Sequence, residues 1–187
     1  MIKEQVYMKF LRLLVSVKSI FFLVSIIFSA ATYAEDKREG ETIHENWIAN
    51  SEKTPQKMCW AASGISEPSK NTKNGIRVDV KRSAIGLYVT YFTENKGNAQ
   101  ISFTGGYPFA EDSSVTLNIN GTDFFLRTLG EWAWAENNEQ DAKIINAMKK
   151  GSKAILTAKS TRGTRTQDTF SLMGFTAAVA DAEKRCK

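Results

Sequence analysis

Four carboxylates, Glu131, Glu136, Glu139 and Asp141, crowd around the aromatic segment Trp132-Ala133-Trp134. Two acids beside aromatic side chains are what a sugar-cleaving site uses, one protonated and one ionised. The same residues have a plainer reading, which is the preferred one. Glu139 and Asp141 fit the first turn of a helix, where acids face the positive end of the dipole, and the tryptophans fit a core or its rim. Asp123 and Asp168 sit inside strand patterns, where a salt bridge to Arg127 or Arg165 is the commoner fate of a carboxylate.

Other reactive chemistry is sparse. The single histidine, His44, lies in a polar stretch ahead of the core. That argues against a Ser-His-Asp arrangement and a histidine-rich zinc site, and the residue is expected to be solvent-exposed. A cysteine nucleophile would need a positioned base beside it. Gly105-Gly106 and Gly130 read as turn glycines, since no glycine spacing meets the phosphate-loop pattern ahead of a helix. No catalytic residue, metal site or cofactor is expected. The basic loop Arg162-Gly163-Thr164-Arg165, with Lys81-Arg82, could attract an anionic surface such as lipid headgroups or polysaccharide; exposed loops are also basic for solubility alone. Tyr88, Tyr91, Phe92, Trp132 and Trp134 lie in strand-like segments, whose alternate members face the surface and could form a binding patch. Trp132, Trp134, Arg162 and Arg165 are therefore the candidate partner-binding residues.

The chain's address decides how its charge and cysteines are read. Lys3, Lys9, Arg12 and Lys18 precede or flank an uncharged apolar run, Ile20 to Ala31, and small residues follow to Ala34. This is the pattern of a secretory signal peptide over residues 1–34, cut after Ala34 or alternatively Ala31, with Met8 as an alternative start. The charge-free stretch from Ser19 to Ala34 is short of the roughly 20 apolar residues that a spanning helix needs. The full chain of 187 residues holds 25 basic and 20 acidic residues, a net of +5. Residues 1–34 hold four of the basic and one of the acidic, leaving 21 and 19, a net of +2. Most of the basic character therefore belongs to the leader, and no nucleic-acid partner is expected.

The 153 residues beyond Ala34 suit one domain with its own core. Cys59 and Cys186 both lie there. Export to an oxidising compartment makes a bridge between them the default, with two free thiols as the alternative.

Residues 35–46 are polar and read as a flexible leader to a single domain over 47–187, with packing starting at Trp47-Ile48. Strands are expected at Lys57 to Ser63, with Cys59 and Trp60 on opposite faces, then at Ile76 to Lys81, Gly86 to Thr93 and Ala99 to Thr104. Asn74-Gly75 and Lys96-Gly97 mark turns. Val115 to Ile119 and Asp123 to Thr128 flank Asn120-Gly121, the strongest hairpin signal in the chain, and Glu131 to Ala135 is a further short strand or loop. The period then changes: Ala142, Ile145 and Met148, with Ile144, make one apolar stripe of a helix over Asn138 to Lys150, capped by Asn137 or Asn138. Lys153 to Ser160 and Thr166 to Leu172 are strands, and Phe175 to Arg185 is a second helix. The sum is a mainly β domain, a β-sandwich or barrel-like core of about 8–10 short strands with two helices in the C-terminal third.

Several of these segments together resemble the invasion-associated locus B family of exported bacterial proteins. They are Trp47 with Cys59-Trp60-Ala61-Ala62-Ser63, the helix from Asp141 to Gly151, and the block from Ser160 through Arg162, Arg165, Asp168, Phe170 and Phe175 to Ala178, closing at Cys186. The resemblance implies an exported β-rich domain of Gram-negative, chiefly alphaproteobacterial, type, linked to host-cell invasion in some members. It brings no established catalytic residues. Some members carry additional cysteines near the first; this chain lacks them.

Two functions fit the sequence. One is a non-enzymatic protein of the periplasm or envelope, outer-membrane associated or secreted, that binds another envelope protein, a polysaccharide or a host surface. The other is an envelope hydrolase that uses Glu131 or Glu136 with a second acid.

Overall fold

The computed structural model describes residues 40–53, 56–95 and 98–187. The signal-peptide reading of 1–34 and the Lys96-Gly97 turn lie outside the described residues. Twelve strands among them form one sheet in which every pairing is antiparallel. In chain order these are β1 (Thr42–His44), β2 (Trp47–Glu52), β3 (Met58–Ser63), β4 (Lys70–Lys73), β5 (Ile76–Arg77), β6 (Gly86–Phe92), β7 (Ala99–Thr104), β8 (Ser114–Ile119), β9 (Thr122–Leu129), β10 (Trp132–Trp134), β11 (Lys153–Lys159) and β12 (Arg165–Ser171). Two helices complete the domain, α1 (Asn138–Lys150) between β10 and β11, and α2 (Phe175–Arg185) after β12.

Across the sheet the order is β1-β2-β3-β6-β7-β10-β9-β8-β11-β12-β4-β5. The sheet folds back on itself, because residues beside β2 and β3 reach β12 directly. Ser66 N donates to Thr169 O at 2.8 Å, and the Trp47 indole N–H donates to Ser171 O at 2.9 Å. This barrel-like closure turns one sheet face inward as a single core of Leu87, Ile101, Phe103, Leu117, Leu126, Leu156 and Phe170. The inward side chains alternate with outward ones, as the pleat requires.

The hairpin signals work as their backbone chemistry dictates. Asn74 and Gly75 have φ of 52° and 79°, and Asn120 and Gly121 have 50° and 84°. Positive φ at both central residues is what a twisted two-residue loop needs. Asn137 caps α1, its side-chain oxygen accepting from Gln140 N at 2.9 Å. The helix packs against β7, and its buried residues are Asp141, Ile144, Ile145 and Met148. The apolar stripe is thus displaced by one residue: Ala142 is exposed and Asp141 is buried in its place. The Asp141 carboxylate accepts from Ile101 N at 2.8 Å, at a point where β7 has run past the end of β10. Helix α2 packs against β2 and β3, with the Phe175 ring edge-on to Trp47 at 4.8 Å, and a Cys59–Cys186 disulfide ties its end to β3.

The mainly β class and both helices match the sequence reading, but the strand count is higher. Strands β1, β2 and β4 lie outside the segments whose alternation reads as strand. The stretch 35–46 is not leader throughout, since Thr42–His44 pairs with β2. Conversely, the alternating segment Ile76 to Lys81 is strand only over Ile76–Arg77, at the sheet's edge. Val78 N makes one more bond to β4, to Asn71 O at 3.0 Å, and Arg82 then reaches Asp168 of β12.

Candidate functional site

Two surface features lie next to each other in the chain. The first is a cleft of about 310 Å³. Its walls come from four distant segments: Val80 to Arg82, Gly106 to Pro108, Glu131 in the β9–β10 loop, and Ser160 to Thr166 around the β11–β12 loop. Packing of Gly106 (φ 73°) fixes one wall, since a Cβ there would lie 2.6 Å from Ser83 O.

Beneath the cleft, Arg82 and Asp168 form a buried pair. Arg82 Nη1 and Nη2 donate to the two Asp168 oxygens at 2.8 and 2.6 Å. Arg82 Nε donates to Gly105 O at 2.7 Å, Nη1 also reaches Ser69 Oγ, and the Ser69 hydroxyl donates to Asp168 at 2.5 Å. The guanidinium carbon lies 5.0 Å from the centre of the Tyr107 ring, a cation–π distance. Tyr107 Oη in turn is 2.5 Å from Thr166 Oγ1. Burial pushes the Tyr107 hydroxyl above its usual range, partly offset by the Thr166 bond and the Arg82 charge. It therefore stays protonated, and the network is a fixed, satisfied floor.

The cleft's mouth is differently built. Lys81, Glu131 and Arg162 are exposed, and none of the three is in an ion pair among the described residues. Ser160, Thr161 and Thr164 add hydroxyls between them. Ser160 Oγ accepts from Thr164 N at 3.2 Å, and Ser160 N donates to Thr164 O at 2.9 Å, so the loop that carries Arg162 is closed by its own bonds.

The second feature is the outer face of β9 and β10. Trp132 and Trp134 share that face, because Ala133 between them points into the core. Their rings are nearly parallel, at 21° and 6.4 Å, and Tyr88 on β6 stands 5.6 Å from Trp132. Across the strand pair Trp132 is opposite Leu129 and Trp134 opposite Arg127. Phe125, Arg127 and Leu129 alternate outward on β9; Phe125 is 57% exposed, Leu129 75% and Trp132 39%. A contiguous apolar and aromatic strip with an arginine in its midst covers this part of the sheet.

The candidate residues are thus distributed over both features. Trp132 and Trp134 lie on the aromatic face, Arg162 lines the cleft, and Glu131, the chain neighbour of Trp132, links the two. Arg165 stands apart at the start of β12, opposite Thr72 of β4. Asp168 pairs with Arg82, not with Arg165. Asp123 accepts from Asn118 Nδ2 at 2.5 Å, not from Arg127. The partners differ because the sheet order, invisible in local sequence, decides which side chains meet. Arg82, Tyr107 and Lys81 complete the cleft; the basic pair Lys81-Arg82 was the sequence signal for it, and Tyr107 gave none.

Glu131 and Glu136 are not brought together. Glu136 borders a separate depression with Asp123 and Glu139. There the Lys143 ammonium, 2.7 Å away, holds the Glu139 carboxyl below its ordinary range. His44 is not free in solvent: it lies in β1, with Nε2 3.0 Å from Asp181 Oδ2 on α2. Among the described residues no group of three or more His, Cys, Asp or Glu could hold a metal ion, and no helix is long and apolar enough to cross a membrane.

Comparison with known proteins agrees with this architecture. A crystal structure of invasion associated protein B from Bartonella henselae superposes with a TM-score of 0.52 at 14% identity, over 78% of this chain and 96% of that one. At that identity the likeness speaks for the fold. No curated protein matches the chain. Residues 47–183, from the buried Trp47 to the last turns of α2, match the family described as Invasion associated locus B (IalB) protein, and the chain belongs to that family.

Proposed function

We propose that this protein is exported, with cleavage after Ala34, and acts in the periplasm or envelope by binding another protein, without catalysis. The observation that carries the reading is the outward strip of exposed Phe125, Arg127, Leu129 and Trp132 with the half-buried Trp134 beside them. Aromatic residues and arginine are the types enriched at protein interfaces and their energetic centres. Leu129 and Phe125, as bare apolar surface, suit a protein partner of the envelope or of a host surface better than a polysaccharide. A paired-acid hydrolase is less well supported, since it needs two carboxyls facing one cleft, and Glu131 lines one depression while Glu136 borders another.

The test is capture from envelope extracts with the wild-type chain and with a Phe125→Ser/Leu129→Ser variant. These residues are exposed, so the variant should melt like the wild type. A saturable partner retained by the wild type and lost by the variant supports the reading. Equal capture by both, or no saturable partner for either, overturns it.

A further inference from the structure

The cleft has a composition that a protein-contact surface does not require. Its mouth offers two cations, Lys81 and Arg162, and one carboxylate, Glu131, none of them in an ion pair among the described residues, with the exposed hydroxyl of Thr161 and the largely buried Ser160 and Thr164 beside them. Its volume, about 310 Å³, lies at the lower end of the roughly 300–1,000 Å³ usual for small-ligand pockets. Its floor is held by the buried Arg82–Asp168 pair, so the walls are fixed before any ligand arrives.

These groups constrain what could sit there. The cations call for an anionic group, and a guanidinium matches carboxylate or phosphate oxygens through paired donors. Glu131 is only an acceptor when ionised, so the same ligand must also present donors. A bare phosphate presents none when doubly ionised and would be repelled by Glu131. The exposed Thr161 hydroxyl can donate or accept, and the Ser160 hydroxyl, which accepts from Thr164 N, can still donate, so the loop calls for further polar groups on the ligand. A ring carrying one carboxylate and several hydroxyls meets all of these demands at this size.

We propose that the cleft is a binding site for an acidic sugar, a uronate residue whose carboxylate lies between Lys81 and Arg162 and whose hydroxyls bond Glu131 and the Ser160–Thr164 loop. This site stands independently of the aromatic face and does not depend on the protein-binding reading.

The test is an amide-resolved NMR titration of the full chain, expressed with its leader and purified oxidised. The probes are glucuronate and galacturonate, with glucose, inorganic phosphate and glutamate as controls. Either uronate should give saturable shifts at residues 160–164 and 81–82 that weaken as salt screens the charges. Glucose, phosphate and glutamate should give at most a tenth of the affinity. Lys81→Gln/Arg162→Gln, at exposed positions with no ion pair among the described residues, should keep the melting temperature and weaken the uronate by about tenfold or more. Trp132→Ala should leave it unchanged. No saturable response to either uronate overturns the proposal. So does an equal response to any control, undiminished binding by the double variant, or loss of binding through Trp132→Ala alone.

Discussion

Arg82 grips Asp168 through both terminal guanidinium nitrogens, with 6% of one side chain and none of the other exposed to solvent. Two desolvated charges are an expensive way to join strands, and an apolar pair of similar volume is often as stable. Here each remaining polar atom is also used, by Gly105 O and Ser69 Oγ. Asp168→Ala, which strands a buried guanidinium, should therefore cost about 3–5 kcal/mol. Arg82→Met/Asp168→Leu should cost much less than Asp168→Ala alone. Chemical denaturation of the three proteins checks this; equal losses for the single and double variants would show that the pair does not act as a unit.

The disulfide makes a second prediction. Cys59 sits on β3, fully buried, and Cys186 caps α2, 127 residues later in the chain. A cross-link closing so long a loop removes unfolded-state entropy worth about 4–5 kcal/mol in the simple chain model. For a domain of about 150 residues, each kcal/mol moves the melting temperature by roughly 2–4 °C. Cys59→Ala/Cys186→Ala should lower it by about 10 °C or more. The sugar titration at residues 160–164 should persist in that variant wherever it remains folded, because neither cysteine lines the cleft.

Local chemistry made much of this fold legible. Asn120-Gly121 and Asn74-Gly75 signal turns because both residues tolerate positive φ, and both turns form. The bounds of α1 and α2 follow from Asn137, from Gly151 and from a 3.6-residue period. What local chemistry does not carry is which segments meet. Val80 to Arg82, Tyr107, Glu131 and Ser160 to Thr166 build the cleft only because β4 pairs with β12 and the Gly130 carbonyl accepts from Phe109 N at 2.9 Å. Arg165 is nearest to Asp168 in sequence, yet the sheet hands that carboxylate to Arg82. In Trp132-Ala133-Trp134, alternation places both tryptophans on one face but does not say which; the small residue goes inward and the large pair goes out.

Gly174 is a point of close approach. It has φ of 85°, and a Cβ there would run into the carbonyl oxygen of His44 in β1. Just before α2, the bond from Asn46 N to Met173 O fixes the same contact. Gly174→Ala therefore carries both a left-handed backbone penalty and a steric clash, and either α2 or β1 must shift. The expected loss is more than about 2 kcal/mol, above the roughly 1 kcal/mol typical of point substitutions. Gly163, also at positive φ (80°) but with open space around it, should tolerate Ala at a smaller cost. Thermal melts of the two variants separate packing from backbone strain.

Asp181 and Asp141 should pull the acid stability of the domain in opposite directions. Hydrogen bonds from Arg185, and then His44, hold the Asp181 carboxyl at about 2 despite some burial, below its ordinary 3.8. A group depressed in the folded state contributes stability that is fully present above its unfolded value and lost as pH falls through the folded one. The Asp181 contribution, at most about 2 kcal/mol for a partly exposed pair, should therefore disappear between roughly pH 4 and 2, and Asp181→Asn should flatten that stretch of the curve. Asp141 behaves oppositely, because burial raises its carboxyl above 3.8 and the Ile101 amide only partly offsets this. There the folded state holds the proton more tightly, so stability falls as pH rises from 3.8 through the raised value. Asp141→Asn keeps an acceptor for Ile101 N and loses the buried charge, so at pH 7 it should be neutral or stabilising. Asp141→Ala leaves that buried amide unpaired and should cost about 1–3 kcal/mol. Urea unfolding of the three variants from pH 2.5 to 7 checks all of these signs. A steeper acid loss in Asp181→Asn, or a destabilised Asp141→Asn at pH 7, would mean that the charges on α1 and α2 are not held as this geometry holds them.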